Sequence, residues 1–180
     1  IVMANQKLTD KTELAEQAGS GDLLMVVDVN DTTGSSSGTS KKQDFKYLMQ
    51  TDKFSLSNAE VLALDTTPKT LVGALSGYMP TIFNVTVLCT YGASTENSRK
   101  DLIFGFDESV DAEYWAYVES CMDGETTDTT YIPGPSNTGK LGSCSSSILN
   151  KPFKVWAEGT GFAGGWSCDI YVTYCYTKVL

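Results

Sequence analysis

The sequence predicts a mainly β protein: an extended N-terminal anchor segment with short helices, then a C-terminal β-sandwich of jelly-roll type. Three observations carry this. Thr81 to Tyr91 alternates almost without fault, with Phe83, Val85, Val87, Cys89 and Tyr91 on one face and Asn84, Thr86 and Thr90 on the other, the two-residue period of a half-buried strand. Charged residues reach only 19% and apolar residues 41%, and the Gly, Ser and Thr that fill the difference favour turns and strands. Finally, sixteen of the nineteen aromatic residues lie from Tyr78 onward, where short apolar runs are separated by Gly/Pro/Asn loops.

Taken in order, residues 7–19 can form one or two helical turns, with Asp10 and Thr12 as N-caps and Gly19 as a stop. Leu23 to Val29 is apolar almost throughout and reads as a strand covered on both sides. Asn30 to Gly38 is a loop, residues 44–50 a short helix with an apolar side, and Val61-Leu62-Ala63-Leu64 a second apolar patch. The anchor is expected to end between residues 66 and 80, giving domains 1–75 and 76–180. Further strands are expected at Asp101–Phe106, Tyr114–Cys121, Phe153–Ala157 and Asp169–Val179. The last has apolar residues on both faces, so it should lie centrally or against a neighbouring subunit.

The net charge is −9, with 7 basic and 10 acidic residues before Tyr78 and 6 and 12 from there on. An acidic chain without a basic stripe is a poor binder of nucleic acid or anionic membrane. Leu23 to Val27 is its longest aliphatic run, far short of the ~20 residues of a membrane span. No cationic start leads into an apolar stretch, so no secretory signal is read; Met3-Ala4 looks like a natural start, with Ile1-Val2 as an upstream remnant. The five cysteines contain no C-x-x-C pair and the chain has no histidine, which argues against structural zinc. Buried free thiols made in a reducing cytosol are expected, the alternative being oxidation after release. Cys168 and Cys175, seven apart on one strand, face opposite ways and cannot pair with each other.

The catalytic-looking motifs fail on chemistry. Gly34-Ser35-Ser36-Ser37-Gly38 matches a nucleophile elbow in letters but has no histidine base. Gly134 to Lys140 approaches a P-loop, yet Leu141 stands where a magnesium-binding hydroxyl is needed. Asp28, Asn30 and Asp31 lack the glycine and glutamate of a calcium loop and suit turn capping better. Asp107, Glu108, Asp111 and Glu113 offer carboxylates without a cleft to separate their pKa values. The Asn84-Val85-Thr86 sequon falls in an expected strand. No enzyme activity, cofactor or metal is expected.

Leu8-Thr9-Asp10-Lys11-Thr12-Glu13-Leu14, Gly21-Asp22-Leu23-Leu24-Met25-Val26-Val27-Asp28 and Gly38-Thr39-Ser40-Lys41-Lys42, in that order, resemble the N-terminal attachment segments of tailed-phage virion fibre and appendage proteins, whether of head-fibre, decoration or tail-fibre type. The resemblance covers roughly the first quarter of the chain. It implies a structural protein of the virion, made in the host cytoplasm, whose partners are other capsid, neck or tail proteins and which assembles as a homotrimer. The particle-facing residues would be Leu8, Leu14, Leu23, Leu24, Val26, Val27, Lys41, Lys42, Phe45 and Leu48. The alternative function is a carbohydrate- or host-receptor-binding β-sandwich, for which Trp156 and the loop residues Phe162 and Trp166 could stack on a host-surface glycan or pack a subunit.

Overall fold

A computed structural model describes residues 23–44, 48–106, 114–135 and 148–178, excepting the side chains of Leu23 and Asp44. The chain divides into two compact units, Ile1–Lys46 and Tyr47–Leu180. The described part of the first is an antiparallel hairpin of β1 (Leu23–Asp28) and β2 (Thr39–Asp44).

The second unit is built from β3 (Gln50–Leu56), α1 (Asn58–Leu62), β4 (Lys69–Val72), β5 (Tyr78–Tyr91), β6 (Leu102–Gly105), β7 (Tyr114–Val118), β8 (Thr129–Tyr131), β9 (Phe153–Ala157) and β10 (Trp166–Lys178). Two four-stranded antiparallel sheets run β3-β10-β5-β8 and β4-β9-β6-β7. Counted within the unit, the orders are 1-8-3-6 and 2-7-4-5, the double Greek key of an eight-stranded jelly roll. Its core draws Leu56, Val85, Val87 and Ile170 from one sheet and Leu71, Phe104, Phe153 and Val155 from the other. Phe153 takes the edges of Phe106 and Trp115 at centroid distances of 5.4 and 5.9 Å, a favoured aromatic geometry.

The boundary expected near residue 75 therefore falls at 46/47. β3 forms an edge of the first sheet by pairing with β10 from Leu56↔Cys168 to Gln50↔Tyr174, so its residues belong to the sandwich. The expected helix at 44–50 is not present in the described part: Asp44 ends β2, Gln50 opens β3, and Leu48 between them is exposed. Of the patch Val61 to Leu64, Val61 and Leu64 are buried under α1 and its C-terminal turn, while Leu62 faces outward. Ser57 and Glu60 cap α1 reciprocally, the Ser57 N–H donating to Glu60 Oε2 at 2.9 Å.

β10 is central, as expected, with β3 on one side and β5 on the other. Its burial alternates strictly from Trp166 to Cys175, which puts Cys168 and Cys175 on opposite faces. β5 departs from the simple alternation at one point. Thr173 pairs with Asn84 and Tyr174 with Ile82, so Phe83 is an extra residue, a β-bulge. The bulge shifts the inward set by one residue: Val85, Val87 and Cys89 face the core, Phe83 does not, and its ring is 52% exposed.

Candidate functional site

Among the described residues the hairpin is held by its loop and its ladder. Asp28 Oδ1 accepts from the Asn30 N–H at 3.1 Å, and Asp31 Oδ1 accepts from the Thr33 N–H at 3.0 Å and its hydroxyl at 2.7 Å, side-chain turns that Asp readily makes. Gly38 sits at φ +116°, and a Cβ there would lie 2.8 Å from the Asp28 carbonyl oxygen, so only glycine fits. Lys41 Nζ reaches Asp28 Oδ2 at 2.7 Å and Asp31 Oδ2 at 3.0 Å. The Lys41 side chain holds the Asp28 carboxyl below its ordinary value, bonds from Thr33 do the same for Asp31, and both carboxylates raise Lys41. The two aspartates thus serve the turn and the lysine.

Directly paired residues of antiparallel strands share a face. One face of the hairpin therefore carries Leu24, Val26, Lys41 and Gln43, and the other Met25, Val27, Ser40 and Lys42. Apolar side chains stand on both, and Met25, Val27 and Val29 remain 70%, 57% and 69% exposed. Covering on both sides was the expectation for this strand; among the described residues Val26 is partly covered, while Leu24, Met25 and Val27 stand exposed. A shallow hollow of about 350 Å³ lies among Leu24, Met25, Ser40, Lys41 and Lys42. Among the described residues, β1 pairs only with β2, so each strand keeps an open edge.

Of the ten residues expected to face a particle, the structure places Leu24, Val26, Val27, Lys41 and Lys42 together on this hairpin. Leu23 opens β1. Leu48 lies in the other unit, and Leu8, Leu14 and Phe45 lie outside the described residues. Lys41 is committed to the loop aspartates, while Lys42, opposite Met25, is exposed. Met25 and Val29 are the residues that sequence reasoning left out. Period-two alternation along an all-apolar strand puts them on its faces as firmly as Leu24 and Val27.

The aromatic candidates are corrected. Trp156, Phe162 and Trp166 are 4%, 6% and 1% exposed, so none offers a ring to a ligand or a subunit. Trp166 packs edge-on to Tyr91 at 5.2 Å. Trp156, paired with Ile103, lies buried with it on the face of the second sheet away from the core, the Tyr114 ring at 5.2 Å. The glycine-rich stretch that looked too open for a core is close-packed backbone. Gly92 and Gly165 bond at 2.8 Å, and a Cβ on Gly92 would come within 2.5 Å of the Gly165 oxygen. Asn58 Nδ2 donates to the carbonyls of Gly164 and Trp166, both at 3.0 Å.

Beneath this loop is a residue that sequence reasoning missed. Glu96 is fully buried; its Oε2 accepts from the N–H of Ala163 at 2.8 Å and of Gly164 at 2.7 Å, and its Oε1 from the N–H of Ser98 at 2.8 Å. Burial pushes the carboxyl up, but the backbone N–H groups bonded to it prevail, leaving it lowered. Glu96 is a structural anion that folds the loop around itself.

One cleft on the sandwich, about 390 Å³, is lined by Ser55, Ser57, Glu60, Thr90 and Asp169 among others. Asp169 pairs with Lys53 at 2.8 Å and Ser55 at 2.6 Å, and Glu60 with Lys69 at 2.6 Å. Lys53 lowers the Asp169 carboxyl, and Lys69, followed by Ser57, lowers Glu60 to about 2. A general acid working near neutrality needs its carboxyl raised; these two are shifted the other way. Among the described residues no three His, Cys, Asp or Glu side chains are grouped to hold a metal. The acidic run Asp107 to Glu113, the P-loop-like Gly134–Lys140 beyond Pro135, and Cys144 lie outside the described residues. No known family and no curated protein matches this sequence.

Proposed function

We propose that this chain is an attachment-and-display protein: the hairpin unit docks onto a larger assembly, and the jelly roll is the part presented. One observation carries the reading. β1 is a six-residue strand with apolar side chains on both faces, and among the described residues its sheet has two strands and two unpaired outer edges. An isolated two-stranded hairpin is marginally stable in water, and strand addition to a neighbour's sheet would satisfy its edges and bury its side chains together. The resemblance of the first fifty residues supplies the tailed-phage virion as the assembly, with capsid, neck or tail proteins as partners and the homotrimer as the working form. Jelly rolls serve in viral capsids and in lectins alike, so the fold supports a presented module without naming its target. A host-glycan reading is not favoured by Trp156, Phe162 or Trp166, all three of which are buried. The reading assigns the chain no catalysis.

The test is incorporation. Met25→Asp with Val27→Asp places two charges on one face of the hairpin and leaves the sandwich untouched. In particles assembled with this variant, the chain should drop at least tenfold in copy number by quantitative mass spectrometry, while the purified variant melts as the parent does. Equal incorporation would refute docking through β1.

A further inference from the structure

Three of the five cysteines meet in the sandwich core. Cys89 of β5 and Cys168 of β10 are direct partners in the ladder, and their sulfurs lie 3.1 Å apart. Cys121, in the turn after β7, is fully buried in the same core cluster. Met122 Sδ stands 4.0 Å from Cys168 Sγ. Opposed residues of antiparallel strands hold their Cα atoms about 4.5–5.5 Å apart, inside the roughly 4.4–6.8 Å that a disulfide spans. Both side chains point to the same face, so bringing the sulfurs to bonding distance, about 2.05 Å, takes a shift of about 1 Å.

We propose that Cys89 and Cys168 form a latent cross-strand disulfide site, synthesised as thiols and closed after folding by a low-molecular-weight disulfide. The chemistry balances in two exchanges. One cysteine, as thiolate, attacks a sulfur of the reagent RSSR, forming a mixed disulfide and expelling RS⁻. The second cysteine gives up its proton and attacks the first cysteine's sulfur, forming the Sγ–Sγ bond and expelling a second RS⁻. The protein loses two electrons and two protons, and the reagent leaves as two RSH. Reaction requires thiolate and access, and both are scarce here. The cysteines are 1% and 5% exposed; the neighbouring Cys121 thiol, then burial, raises Cys89, and its contact with Cys89 and burial raise Cys168. Oxidation therefore waits on a transient parting of β5 from β10. Once closed, the bond is equally shielded from reductants, so the site acts as a one-way staple across the middle of the first sheet. It would close a loop between positions 79 apart in sequence, long enough to constrain the unfolded chain strongly.

The full chain, purified reduced, is incubated with oxidised glutathione, quenched in acid, denatured, alkylated with iodoacetamide, digested and mapped by mass spectrometry. The expected result is one crosslinked peptide pair containing Cys89 and Cys168, with alkylatable cysteines falling from five to three. The melting midpoint should rise by roughly 5–15 °C and return on reduction in denaturant. Cys175→Ser, on the opposite face of β10, should keep crosslink and shift; Cys89→Ala should lose both. If Cys89→Ala does not fold, the peptide map of the parent chain decides alone. Five alkylated cysteines after oxidation, a stable glutathione adduct, or a link through Cys121, Cys144 or Cys175 would each overturn the proposal.

Discussion

Glu96→Gln is the sharpest probe of the sandwich. The carboxylate is fully buried and receives three backbone N–H groups, two on Oε2 and one on Oε1. An amide of the same shape keeps one acceptor oxygen and turns the other position into an NH₂ donor. Whichever way it is oriented, a donor faces a donor: the Ser98 N–H in one case, those of Ala163 and Gly164 in the other. Each buried N–H left unpaired costs about 1–3 kcal/mol, and the surviving bonds lose their charge assistance. The total is about 2–4 kcal/mol, which for a unit of this size lowers the melting midpoint by roughly 10 °C. The pH dependence follows from the direction of the shift. The folded carboxyl is lowered, so its stabilisation is fully present above the unfolded value, about 4.3, and fades as pH falls through the folded value. Urea unfolding of parent and variant should thus differ by the full amount at neutral pH and converge in acid. A variant within about 0.5 kcal/mol of the parent at neutral pH, the range of an ordinary surface substitution, would refute the anion-anchored loop.

Three other outcomes follow from the same geometry. Phe83→Thr should change stability by less than about 1 kcal/mol, whereas Val87→Ala, four pairs beyond the bulge, should cost about 2 kcal/mol or more; chemical denaturation of both checks the bulge assignment. Trp166→Ala should destabilise the sandwich by about 3–5 kcal/mol, read as a lower denaturation midpoint, and any loss of a binding activity should track unfolding. Gly92→Ala, whose Cβ would come 2.5 Å from the Gly165 oxygen, should cost more than Gly73→Ala, whose Cβ meets nothing within 4 Å.

The long strands were legible because pattern and burial coincide in them. β10 alternates from Trp166 to Cys175, and the apolar side of β5 holds from Val85 to Cys89. The bulge was not, because Phe83 continues the alternation in letters while the backbone inserts it as an extra residue. β3 reads Gln50-Thr51-Asp52-Lys53-Phe54-Ser55-Leu56, too polar to announce a strand; its outer face bonds instead, Thr51 to Thr173 at 2.9 Å and Ser55 to Asp169 at 2.6 Å. The four-residue β4 and three-residue β8 are too short to show a period. The tryptophans were misplaced because glycine richness was read as openness, when here it permits backbone contact too close for a Cβ. Glu96 sits in a stretch, Ser94 to Ser98, that reads as a solvated turn, and nothing local marks acceptance from Ala163, 67 residues away. The hairpin was legible as an apolar strand, a Gly/Ser/Thr loop and a lysine-led return, though the exposure of Met25, Val27 and Val29 appears only in three dimensions.

Attachment through β1 is most directly tested by amide hydrogen exchange over residues 23–44, in the free protein and in purified particles carrying it. The account predicts rapid exchange of the hairpin's open-edge amides when free and at least hundredfold protection on the particle, with the sandwich strands unchanged. Hairpin exchange that is the same in both states would contradict it.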